Sequence, residues 1–260
     1  MTDNLFVKRP ADPEAAAAEI QGLRWLAEAG KDFVVAVPPD IDGADGVVAT
    51  VRLGRCAPTA GQARRAGELL AVMHRAGAEA FGSPPAPGGV TWRGRTFIGR
   101  LPQQCVPTAD WGEFYVTQRV MPFAEQAHAR GNLDTRGLAV VETACAAVAG
   151  ADFSAVPVSR IHGDLWAGNL LFTPDGPKVI DPAAHGGHAE TDLGMLALFG
   201  APFFNDIIDG YRSVTPLDPD WADFTALHQL HPLAVHATTH GPGYAGELVE
   251  AARRTLAVIG

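Results

Sequence analysis

The segment from Ile161 to Asp181, IHGDLWAGNLLFTPDGPKVID, concentrates the side chains of this chain that could do chemistry. Asp164 stands five positions ahead of Asn169, and a second aspartate, Asp181, closes the apolar pair Val179-Ile180. A phosphoryl-transfer site needs this set. One carboxylate orients an acceptor hydroxyl and takes its proton, while an amide oxygen and a second carboxylate hold magnesium on nucleotide phosphates. Pro174-Asp175-Gly176 carries turn chemistry and predicts a hairpin between short strands at 170–172 and 178–180. That hairpin would return Asp181 to the side of Asn169. A plain surface loop accounts for the turn residues alone, but not for loop, hairpin and closing aspartate in this order.

A second constellation lies near the start. Asp12-Pro13 opens a helix, with aspartate as N-cap and proline at the first helical position, and Gly30 closes it. On that helix Glu19 shares a face with Leu23 and Leu26, the side expected to pack inward. A carboxylate there calls for a cation, because an unpaired buried charge is costly. Lys8, on a short strand at 5–8, is the candidate partner; the plain alternative is two exposed charges near a terminus. Trp166, two residues after Asp164, would offer an apolar face to a sugar ring or else pack in the core. His162 reads as a structural hydrogen-bonding residue. Histidines three or four apart (His185 and His188, His228 and His231, His236 and His240) invite a zinc reading, which would need a third ligand and a defined outer shell. No G-x-S-x-G elbow occurs, and no cysteine has a convincing base.

The remaining elements must position these groups. Strand-like runs occur at 33–37 and 47–53, separated by a turn-rich stretch at 40–46. Thr59 caps a helix through Arg75. Residues 79–107 are rich in glycine and proline and read as a long loop, functional or poorly ordered. Helices are expected at 110–130, 134–150, 190–199, 203–211, 220–240 and 246–259. The 260 residues, 47% hydrophobic and 19% charged, suffice for one large core or two lobes. A formal net charge of −9 argues against nucleic acid or an anionic membrane as the main partner and suits a small-molecule substrate. Three widely spaced cysteines, Cys56, Cys105 and Cys145, without a C-x-x-C, fit a reducing cytoplasm. No apolar run reaches the length of a membrane span, and the first residues lack a signal-peptide core.

The interval D-x-x-x-x-N equals that of a protein-kinase catalytic loop. Here the leading triplet is His162-Gly163-Asp164, and proline follows the second aspartate, which points to the small-molecule branch of that fold. Several segments together resemble the fructosamine kinase (ketosamine-3-kinase) family, related to aminoglycoside and choline kinases. They are HGDLWAGN, then DPAAHGGHAETDLGMLALFG, then Thr96-Phe97-Ile98-Gly99 with Pro102-Gln103, Trp111 and Arg119, and the stretch from Leu230 to Tyr244. The resemblance implies an α+β, two-lobed protein-kinase-like (aminoglycoside-phosphotransferase-like) fold. A small mixed N-lobe would span 1–55 and a larger, mostly helical C-lobe 56–260. It implies ATP and Mg2+ as cofactors and the 3-hydroxyl of a small-molecule or protein-bound ketosamine as acceptor, the role being deglycation. Asp164 would be the catalytic base, Asn169 and Asp181 the metal ligands, and Lys8 and Glu19 the nucleotide-positioning pair. Trp166 would face the substrate, and backbone at 51–54 would be the adenine hinge. His188, Glu190 and Asp192 would hold the catalytic loop and its helix. Folds of this kind place a hairpin with a glycine-bearing phosphate loop ahead of the lysine strand. With seven residues before Lys8, a truncated N-lobe lacking that hairpin is expected. The alternatives are a kinase for another small hydroxyl compound (an aminosugar, aminoglycoside or choline) and a non-catalytic pseudokinase.

Overall fold

The computed structural model describes residues 4–259. Strand β1 (Leu5–Lys8) pairs antiparallel with β2 (Val48–Val51), Lys8 opposite Val48. Between them runs α1 (Pro13–Gly30), whose N-cap Asp12 accepts from the Glu14 amide. Its inner face buries Ala16, Ile20, Leu23 and Leu26, at the 3–4-residue spacing of an amphipathic helix. The run at 33–37 is not a full strand. It makes a single parallel bridge, Val34 to Val179, because its partner strand ends at once where Asp181 turns into the left-handed region.

Helix α2 (Ala60–Arg75) is capped by Thr59, as the sequence predicts. Residues 79–107 are more structured than expected: a 3-10 turn (Pro87–Gly89) leads to a hairpin of β3 (Thr96–Ile98) and β4 (Leu101–Gln103). Arg95 docks this hairpin on the start of α1, its guanidinium 2.6 Å from Glu14 and 2.7 Å from Asp12. The helix expected at 110–130 is interrupted. It runs as α3 (Trp111–Phe114), a π-helical turn (Tyr115–Val120) and α4 (Met121–Ala129). Pro122 has no N–H to give the Gln118 carbonyl four residues back, and the Arg119 guanidinium donates to that carbonyl instead.

Helix α5 (Thr135–Gly150) precedes β5 (Ser159–Ile161), which pairs antiparallel with β8 (His185–Gly187). Inside that pair lies the predicted hairpin, β6 (Leu170–Thr173) and β7 (Gly176–Val179), turning tightly at Pro174-Asp175. Helices α6 (Ala189–Leu198), α7 (Phe204–Arg212), α8 (Thr225–His240) and α9 (Ala245–Ile259) complete the chain. The expected start of α8 at 220 is too early, because the Asp218 carboxylate accepts from the Asp220 amide and holds a turn there. Among the described residues no helix is long and apolar enough to cross a membrane.

Two cores flank the motif. One gathers buried residues of α4, α5, α8 and α9; the other joins α1 and α2 to the β6–β7 hairpin, α6 and α7. Ala183 belongs to the first and Ala184 to the second, so the stretch after Asp181 is held between them.

Candidate active site

The β6–β7 hairpin does what its sequence requires. The Ile180 amide donates to the Asn169 carbonyl at 3.1 Å, setting Asp181 beside Asn169. Asp181 has φ of 54°, a strained conformation for a residue with a side chain. The Asn169 side-chain amide donates to the Asp164 carbonyl at 2.8 Å and to its carboxylate at 3.3 Å. Among the described residues nothing donates to the Asn169 Oδ1. Burial, then the charges of Asp181 and Asp192, push Asp164 up to about 8.

Lys8 meets Glu19 at 2.9 Å and Asp181 at 2.8 Å, so the strand, the first helix and the closing aspartate of the motif converge on one ammonium. Burial works against that charge, but the two carboxylates hold Lys8 above its ordinary range. Burial outweighs Lys8 at Glu19 and pushes it up to about 7, and Glu19 Oε1 has no hydrogen-bond partner among the described residues.

Asp192, on the first turn of α6, holds the loop that carries Asp164. Its Oδ2 accepts from the His162 amide at 2.8 Å and its Oδ1 from the Gly163 amide at 2.9 Å. His74 Nε2 lies 3.0 Å from the same carboxylate, with the Tyr211 hydroxyl 3.0 Å from its Nδ1. Burial alone would raise Asp192, yet His74 and these amides bring it below the ordinary carboxylate range. Gly163 makes the turn possible: its φ is 78°, and a Cβ there would collide with the Ala183 carbonyl. His162 spends both ring nitrogens structurally, donating from Nε2 to the Ile180 carbonyl and accepting from the Asp164 amide at Nδ1.

These groups open onto a cavity of about 360 Å³ lined by Lys8, Glu19, Asp164, Asn169 and Asp181. Trp166 flanks it, 43% exposed, its ring lying so close over Gly168 that a Cβ there would strike the indole. The β3–β4 hairpin also lines the cavity, through Thr96, Phe97, Gly99 and Gln103. Of the proposed hinge, the Val51 and Arg52 amides are already bound to the Ala36 and Asn4 carbonyls, which leaves Leu53 and Gly54. His74 and Tyr211 escape a reading of the sequence: each is isolated in its helix, with no local pattern marking it as support for a loop far along the chain.

Of the paired histidines, His188 and His228 come together with Glu190, one candidate ligand atom from each within 4.8 Å of the others. The hydrogen bonds favour a structural role. His188 caps α6, its Nδ1 accepting from the Glu190 amide at 3.2 Å, so the neutral ring carries its proton on Nε2 and has no lone pair there for a metal. His228 Nδ1 lies 3.2 Å from the Thr191 hydroxyl and its Nε2 3.5 Å from Glu190. Burial pushes both histidines down to about 3.

That shift has a consequence for stability. The unfolded chain binds the proton first, so the contribution of each histidine is full above about pH 6.5 and is lost as pH falls towards 3. Asp164 and Glu19, raised by burial, work in the opposite sense. Replacing His228 by Gln removes one histidine from the balance. The pH profile of unfolding free energy is then expected to flatten by up to about 1.4 kcal/mol per pH unit below pH 6.5. Urea titrations at pH 7.5, 6 and 5 measure this, and parallel profiles would remove His228 from the account.

Known proteins share this arrangement of chain. The family model described as "Fructosamine kinase" matches residues 5–258. "Probable ketoamine kinase slr1563" from Synechocystis is 32% identical over 197 residues, covering 75% of this chain and 62% of that relative. The chain spans about half the length of several other curated relatives that it matches. The crystal structure named "putative fructosamine-3-kinase" from Thermobifida fusca YX-ER1 superposes with a TM-score of 0.87 at 41% identity, over 97% of this chain and 85% of that one. Choline kinase LicA from Streptococcus pneumoniae, 15% identical with a TM-score of 0.57 over 99% of this chain and 88% of its own, shares the fold alone. The fold is that of the protein-kinase-like phosphotransferases.

Proposed function

Because the chain belongs to the fructosamine kinase family, we propose that it transfers the γ-phosphoryl group of ATP to the 3-hydroxyl of a ketosamine. The observation that carries this reading is the convergence of Asp164, Asn169, Asp181 and the Lys8–Glu19 pair on one cavity with Trp166 at its side. The names of the relatives supply the acceptor class. Loss of the amine from the phosphorylated product would make the role deglycation.

Asp164 is the base that orients the acceptor hydroxyl and takes its proton. Its pKa of about 8 in the free protein lies near working pH, where a base combines availability with driving force. The Asn169 Oδ1 and the Asp181 carboxylate form an all-oxygen donor set, which suits magnesium. Bound magnesium-ATP would supply the phosphoryl group and neutralise the charge that develops on it. Lys8, anchored by Glu19, would hold the α and β phosphates. Trp166 would give the sugar an apolar face. The nucleotide-positioning parts lie within 1–55 and the base and metal ligands within 56–260, which is the functional sense of two lobes. Three unpaired thiols suit a reducing cytoplasm.

The test is mass spectrometry of a fructosyl-amine incubated with the protein, ATP and magnesium, beside choline and an aminoglycoside. One phosphate added to the fructosyl-amine alone is the expected result. Transfer to choline or the aminoglycoside instead would move the chain to another acceptor class, and failure to bind Mg-ATP would make it a non-catalytic relative.

A further inference from the structure

Gln103 ends β4, and its backbone is tied down. Thr96 stands opposite it in the hairpin register, and the Thr96 hydroxyl donates to the Gln103 carbonyl at 2.7 Å. The residue is 7% exposed, yet neither Oε1 nor Nε2 of its side chain has a hydrogen-bond partner among the described residues. Folded chains leave few buried polar groups in that state, because each forfeits its bonds to water without replacement. Gln103 lines the same cavity as Asp164 and Trp166, and its two amide atoms are covered in the free protein, so a turn of the side chain would present them to an acceptor held there.

We propose that Gln103 is the residue that selects the acceptor sugar, its Nε2–H donating to one sugar oxygen while Oε1 accepts from a neighbouring hydroxyl. A neutral amide offering one donor face and one acceptor face matches adjacent hydroxyl and carbonyl groups on an uncharged carbon chain. It gives nothing to a quaternary ammonium, and phosphate oxygens are better met by Lys8. A site built to bond a hydroxyl rejects analogues that lack it, since its own buried groups are then left unpaired. The inference rests on the ketosamine reading and adds the side chain that reads the sugar.

Gln103→Met keeps the approximate shape and removes both polar atoms. The KM for a fructosyl-amine is expected to rise about 10- to 100-fold, the loss of two hydrogen bonds. The Mg-ATP Kd by calorimetry should stay unchanged. The Tm of the free protein should not fall, because no protein partner is lost. In a series of deoxy-ketosamines, one member should lose a similar factor on the wild type and nothing further on the variant. An unchanged KM overturns the inference, as does a lowered Tm with KM intact, the mark of a structural glutamine. Weaker Mg-ATP binding would put the amide on the nucleotide and overturn it too. A wild-type protein that phosphorylates no ketosamine overturns the functional reading and this inference with it. An active wild type beside an unaffected variant overturns this inference alone.

Discussion

Asp164→Asn is expected to lower turnover by about 10²- to 10⁴-fold, the usual contribution of a positioned general base, while Mg-ATP affinity stays near that of the wild type. The split follows from what Asp164 touches. Its carboxylate faces the cavity and accepts from Asn169, and the proposed metal ligands are Asn169 and Asp181. An asparagine keeps the shape of the side chain and cannot take the proton. Asp181→Ala is the matching control, because it removes an oxygen of the metal site and should weaken Mg-ATP binding together with turnover. Calorimetry and steady-state kinetics on the two variants separate the roles. Wild-type turnover in Asp164→Asn would exclude it as the base, and unchanged Mg-ATP affinity in Asp181→Ala would exclude the metal assignment.

The second large effect is expected at Asp192, which touches no substrate. Removing it strands the His162 and Gly163 amides and His74 inside the protein, all of which the carboxylate now satisfies. Breaking a buried charged network by deleting one partner costs about 3–5 kcal/mol. Asp192→Ala should therefore lower the urea midpoint sharply and abolish transfer, because the turn that carries Asp164 loses its anchor. Asp192→Asn should recover only part of either. The amide keeps one accepting oxygen but turns an NH2 towards a peptide N–H. A variant with near-wild-type stability would show that the loop holds its shape through Gly163 and the hairpin without this carboxylate.

The geometry that joins Asp164, Asn169 and Asp181 was legible in the sequence because local rules govern it. A turn between two apolar runs predicts the β6–β7 hairpin, and the hairpin puts Asp181 beside Asn169 whatever the rest of the chain does. A glutamate on an inward helix face asks for a cation, and Lys8 answers at 2.9 Å. The β3–β4 wall was not legible. Strands of three residues are too short to show alternation, and the glycines and prolines around them read as loop. What fixes β3 and β4 in place is Arg95 meeting Glu14, far back in the chain. His74 and Tyr211 support the loop that carries Asp164 by contacts of the same long range. The π-helical turn was hidden for another reason, since its cause is one absent proline N–H inside a pattern that otherwise reads as continuous helix.

The β3–β4 hairpin lines the cavity from a stretch of chain separate from the motif that carries Asp164, Asn169 and Asp181. Heredity can therefore act on the two independently. Substitutions at Phe97, Gly99 or Gln103 alter this wall of the cavity and leave Asp164, Asn169 and Asp181 in place. On the proposed function, a lineage built on this scaffold can drift from one acceptor to another by small steps that leave Asp164, Asn169 and Asp181 untouched.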